Sequence, residues 1–211
     1  EMCIRDRLRI QRLLFQQTLN PEQRKPAEDQ IGQLQAQPRF GFLLLALVQS
    51  ESTSTAIRLA SAIQFKNLCK TRWNVDAETE DPVFSAISDD EKQAIRQQLV
   101  PVLVSLASAS TPSQAILSQM NESVALVASS DFPEAWPALI DELVSQLSTD
   151  NHHVLLSVLA TSHAIFKQWR SQFRSDALYS EINLVLGKMA NPLLELLQRM
   201  HCLLYTSDAA D

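Results

Sequence analysis

The sequence predicts an all-α fold: a HEAT-repeat α-solenoid, a superhelical stack of antiparallel helix hairpins. Three observations carry that expectation. Glycine is scarce, with Gly32, Gly41 and Gly187 the only three in 211 residues, too few for the tight hairpins of a sheet-rich chain. Apolar residues recur at helical period in one segment after another. Helix-opening residues recur at Ser88, Asp131 and Ser175, spaced 43 and 44 residues apart, which matches the roughly 40–47-residue period of HEAT and armadillo repeats. A hairpin of that size cannot bury its own apolar face, so neighbours must stack, here as about four and a half repeats.

The elements follow in order. A first helix runs over about Leu8–Leu19. Asn20 reads as an N-cap and Pro21 as the first residue of a second helix ending near Gln35. "PRFG" breaks it, and Phe40–Gln49 makes a short, very apolar helix. After the polar "SESTST", a longer helix spans about Thr55–Trp73. The polar stretch Asn74–Ile87 links it to "SDDE", a capping box in which Ser88 accepts from one free N–H and Glu91 reaches back to another. Ile95, Leu99, Val102, Leu103 and Leu106 then form one stripe, with Pro101 inside the helix as a bend. Thr111-Pro112 caps the next helix, to about Ser129.

The stretch "DFPEAWPALI" follows. Asp131 reads as an N-cap residue, Phe132–Trp136 (with Pro133) as one tight turn, and Pro137 as the first position of the next helix, where a missing N–H costs nothing. Leu139, Ile140, Leu143, Val144 and Leu147 continue as a helical face, and Trp136 fills the seam between hairpins. Asp150 caps a further helix, and Ser175 opens the last, to about Gln198, with Pro192 as a kink.

Composition narrows the function classes. A net charge of −6 and a pI near 5.2 do not suit a broad basic face for nucleic acid. They suit an acidic scaffold for protein surfaces. Too little glycine is present for a P-loop or dinucleotide fold. The longest apolar run, Phe40–Val48, is too short for membrane insertion. Cys3, Cys69 and Cys202 are too scattered for a disulfide framework or zinc site. The terminal stretches, residues 1–7 and 200–211, read as translated adaptor sequence and are set outside the fold.

No catalytic or metal constellation and no cofactor motif is found. His152 and His153 point about 100° apart on a helix and cannot chelate one ion. Cys69 has no nearby histidine in sequence to activate it and reads as core. "NES" at Asn121–Ser123 fits a glycosylation sequon only by chance, being mid-helix. One polar group suggests recognition. Lys66, Asn67 and Lys70 share a helical face, and Gln119 and Glu122 share one on the second helix of the next hairpin. Second helices of successive hairpins line one surface of a solenoid, so these five side chains read as a polar recognition strip. An ordinary solvated face is the alternative.

The segments "NPEQRKPAEDQI", "ASAIQFKNLCKTRW", "SSDFPEAWPALIDELV" and "SDALYSEINLVLGKMANPLLELL" resemble the N-terminal region of the importin-β (karyopherin-β) superfamily, within it most the CAS-type exportins. "HVLLSVLATSHAIFKQWRSQF" with "LYSEINLVL" favours that branch. The resemblance covers residues 8–199, with the N-terminal domain over about 20–105. It implies a nuclear transport receptor without catalysis that shuttles between nucleus and cytoplasm. It further implies GTP-loaded Ran bound on the second helices, importin-α as cargo and nucleoporins as a further partner class. Lys66-Asn67 fall on the family's "KN" and Glu122 on its acidic position. Leu68-Cys69 depart from the aromatic–aliphatic pair expected there. Other receptors of the superfamily, and a HEAT scaffold of an enzyme complex, stay open at this point.

Overall fold

The computed structural model describes residues 4–19, 21–35, 37–74 and 87–208; Asn20 lies outside them. Nine α-helices follow one another among the described residues: α1 (Ile4–Leu19), α2 (Pro21–Leu34), α3 (Phe40–Gln49), α4 (Thr55–Arg72), α5 (Asp89–Ala107), α6 (Gln114–Asp131), α7 (Leu139–Ser145), α8 (His152–Gln168) and α9 (Asp176–Asp208). A single 3₁₀ turn extends each of α7 and α8. No strand occurs among the described residues. The helices pair as hairpins α1–α2, α3–α4 and α5–α6; α8 packs on the 3₁₀ turn that extends α7, and α9 opens a fifth unit against α7. Second helices α4, α6 and α8 pack side by side in one layer, and first helices α3, α5, α7 and α9 in another. One continuous apolar core runs between the layers from Ile10 to Leu196. The fold is the predicted α-solenoid.

Both outermost helices run into the terminal stretches that the sequence reading set aside, α1 from Ile4 and α9 to Asp208. Neither stretch holds a glycine or proline to stop a helix already begun.

Several caps differ from expectation. Ser88 caps α5 by accepting from the Glu91 N–H at 3.4 Å, but Glu91 does not reach back. Its carboxylate accepts at 3.0 Å from the N–H of Arg39, a residue held in the left-handed region at φ 67°. The return bond gives way to a tertiary one that fixes the turn before α3. Beside it, a Cβ on Gly41 would stand 3.0 Å from Ile95 Cδ1, so glycine sets how closely α3 approaches α5. Ser113, not Thr111-Pro112, precedes α6, and Asn151, not Asp150, caps α8 by accepting from the N–H groups of His153 and Val154. Pro101 lies within α5 at an exposed position, where the carbonyl it leaves without a helical donor can face water.

Asp131 is the main correction. It is the last residue of α6, not an N-cap. Its side chain turns inward, accepting from Trp73 Nε1 at 3.0 Å and pairing with Arg96, with only 11% of it exposed. Its carbonyl accepts from the N–H groups of Ala135 and Trp136, which closes the turn that holds the cis Phe132–Pro133 peptide. Pro137 follows that turn, and α7 begins two residues later at Leu139. Ser88 and Ser175 do open helices, α5 and α9, whereas Asp131 closes one, so the spacing of 43 and 44 residues is not a spacing of three helix starts. Trp136 is buried as expected, beside buried Phe132. Burial pushes the Glu142 carboxyl of α7 up, and the Trp136 indole pulls it part of the way back.

α9 has two apolar sides. Leu178, Val185, Met189 and Leu196 are buried, while Tyr179, Leu186, Leu194 and Leu197 form an exposed row around the helix from them.

Two stability predictions follow from the turn after α6. Trp136→Ala removes a large buried aromatic and should cost roughly 3–5 kcal/mol in denaturant melts. Asp131→Ala strands Arg96 and the Trp73 indole and should cost a comparable ~3–5 kcal/mol, the range for removing one partner of a buried ion pair. A loss under about 1 kcal/mol in either variant would place that side chain at the surface.

Candidate partner-binding surface

Side-chain pairs fix the register of the second-helix layer. Lys66 of α4 meets Glu122 of α6 at 3.2 Å, and two residues past α4 Asn74 meets Ser130. Asn121 of α6 is hydrogen-bonded to Thr161 of α8 at 2.9 Å and to Ser157 at 3.4 Å, and Gln168 donates to the Ala125 carbonyl at 3.1 Å. Residue numbers rise together on each side, so α4, α6 and α8 run parallel. Each presents one solvent stripe at helical period: Ile63, Asn67 and Lys70 on α4; Ser118 and Glu122 on α6; Leu156, Ala160, His163 and Lys167 on α8.

Four of the five strip residues meet on this face. Asn67, Lys70 and Glu122 are exposed, and Lys66 lies half-buried at the α4–α6 boundary with its ammonium on Glu122. Gln119 does not join them. It sits on the flank of the α6 stripe, and its Oε1 is shut off from solvent without a hydrogen-bond partner. Ser123, one turn on, is buried on that flank, so a spacing of three residues carries a side chain out of the exposed stripe.

The parts that sequence reasoning missed are the polar joints beneath the face. Asn121 is buried and engaged with α8, which disposes of the sequon. Arg72 is buried at the end of α4 and donates to the Gln35 carbonyl at 3.1 Å; burial pulls its pKa down. Lys92 lies 5.9 Å from the centre of the Trp73 ring whose N–H holds Asp131. None of these joints has a local signal, since each joins residues far apart in the chain.

Cys69 faces the core, and burial pushes its thiol well above the ordinary range. No group of three or more His, Cys, Asp or Glu is placed to hold a metal among the described residues. No described helix is long and apolar enough to cross a membrane.

Comparison with known proteins places this architecture. Residues 27–105 match the Importin-beta N-terminal domain, and residues 165–211 match the family described as Cse1. The chain belongs to the importin-β superfamily. Within that superfamily it is 34% identical over 186 residues to Exportin-2 of Drosophila melanogaster, covering 87% of this chain and 18% of the relative. It is 38% identical over 174 residues to the importin alpha re-exporter of Saccharomyces cerevisiae, covering 82% and 17%. A solved structure of the exportin Cse1 in its cargo-free, cytoplasmic state superposes with a TM-score of 0.78 at 34% identity, over 92% of this chain and 20% of that one. The bidirectional nuclear transport receptor Lph2 of S. cerevisiae gives 0.67 at 25% identity, over 89% and 18%. The chain thus spans less than a fifth of the length of these curated relatives, and its fold is that of the HEAT-repeat solenoid at their shared region.

The buried thiol gives a direct check on this layer. In a Cys3→Ser, Cys202→Ser background, Cys69 should resist a thiol-reactive dye in the native chain and react only on unfolding. Rapid native labelling would mean that α4 is not seated as described.

Proposed function

We propose that the chain forms the N-terminal repeats of an exportin that returns importin-α from nucleus to cytoplasm and engages GTP-loaded Ran through the face of α4 and α6. Catalysis has no place in this reading. The observation that carries it is the run of exposed Asn67 and Lys70 beside half-buried Lys66, set on a layer of parallel helices in an otherwise acidic chain. Side chains on packed helices are held in place before a partner arrives, which lowers the ordering cost of binding. The curated relatives' names, exportin-2 and importin-alpha re-exporter, supply the direction of transport and the cargo. Nucleoporins stand as a further partner class on the same grounds of kinship alone.

The test uses a receptor of the relatives' full length that carries these repeats. It should bind Ran loaded with GTP and ignore Ran loaded with GDP, whereas a HEAT scaffold of an enzyme complex would not distinguish the two. Replacing Lys66, Asn67 and Lys70 together by alanine should weaken Ran binding at least about tenfold. Truncating one partner of a desolvated charge contact costs roughly 2–5 kcal/mol, and a rim charge acts mainly on the association rate. Unchanged affinity and association rate would remove the site assignment and leave the fold untouched.

A further inference from the structure

The exposed charges of the second-helix face are unevenly matched. Among the exposed residues of α4, α6 and α8 the cations are Lys70 and Lys167, and the one carboxylate is Glu122. Lys70 and Lys167 make no ion pair among the described residues. Glu122 instead spends its charge on Lys66, the third lysine of the layer, at 3.2 Å across the boundary of α4 and α6. The carboxylate side of that pair is 56% exposed and the ammonium side 21%. A carboxylate so open to water is loosely held, and exchanging it for another costs little.

We infer that Glu122 stands in for a carboxylate of the partner: it neutralises Lys66 in the free chain and yields that cation when an acidic segment lies across α4, α6 and α8. The inference rests on the Ran reading above and changes the role of one residue in it, from contact to displaceable counter-ion. The chemistry favours an acidic occupant. Lys66 and Lys70 stand one helical turn apart, roughly 6 Å, and Lys167 adds a third cation on the far side of the face. On exchange Lys66 keeps a counter-ion, Glu122 returns to water, and Lys70 and Lys167 gain partners that they lack. Exposed Ile63 and Leu156, on α4 and α8, give the same segment apolar contact.

The sign of one substitution separates this from direct contact. Association of GTP-loaded Ran with the full-length receptor is followed by stopped flow at low and high ionic strength. Glu122→Gln should associate about threefold to tenfold faster at low ionic strength, and added salt should erase the gain. In a Lys66→Gln background, which is itself slower, the same change should have a much smaller effect, because the cation that Glu122 masks is gone. Thermal melts of both variants should match the parent, since the pair is half in water. Slower association of Glu122→Gln would make Glu122 a direct contact, and an unchanged rate would make it a bystander. Either result overturns the inference while the Ran reading stands, provided Lys66→Gln still weakens binding. Should Lys66→Gln and Lys70→Gln both leave binding unchanged, this face is not the Ran site and both readings fall.

Discussion

A carboxylate taken out of water must be given partners, and where α4, α5 and α6 converge that carboxylate belongs to Asp131. Trp73 reaches it from the end of α4 and Arg96 from the side of α5, while its own carbonyl closes the turn toward α7. One residue therefore ties together the ends of two hairpins and starts the third. The arrangement satisfies both carboxylate oxygens, the condition under which a buried charge is tolerable. The neighbouring turn then seats Trp136 in the core, where its indole meets Glu142 of α7. The register of the second-helix layer, and with it the spacing of Lys66 and Glu122, depends on this anchorage.

How much of this was legible depended on the range of each interaction. Helix bounds followed local chemistry, and Phe40–Gln49 was read to the residue. The Ser88 cap was readable for the same reason. Asp131 was misread because an acidic residue before a turn looks like a cap, and what distinguishes it is an indole 58 residues earlier and a guanidinium 35 residues earlier. Glu91 was half misread in the same way, since the N–H that claims its carboxylate belongs to Arg39, 52 residues upstream. The repeat period survived these errors because Ser88 and Ser175, two units apart, do open α5 and α9.

The candidate face shows the same division. Spacing alone grouped Lys66, Asn67 and Lys70, and α4 carries them as grouped. Spacing could not tell that Gln119 turns off the exposed stripe of α6, because three residues fall 60° short of a full turn and the covering neighbour decides the rest. Nor could it show that Lys66 already has a partner, which requires the relative height of two helices. Periodicity places side chains around one axis; the offset between axes comes only from packing, here from Asn121, Gln168 and Asn74.

The double-sided character of α9 bears on how the stack is held together. In a quasi-linear array each unit draws most of its stability from the interfaces on its two sides. α9 fills one side through Val185 and Met189 and carries Tyr179, Leu186, Leu194 and Leu197 exposed on another. That apolar row is a ready seam: any helix that comes to cover it gives the unit a second interface.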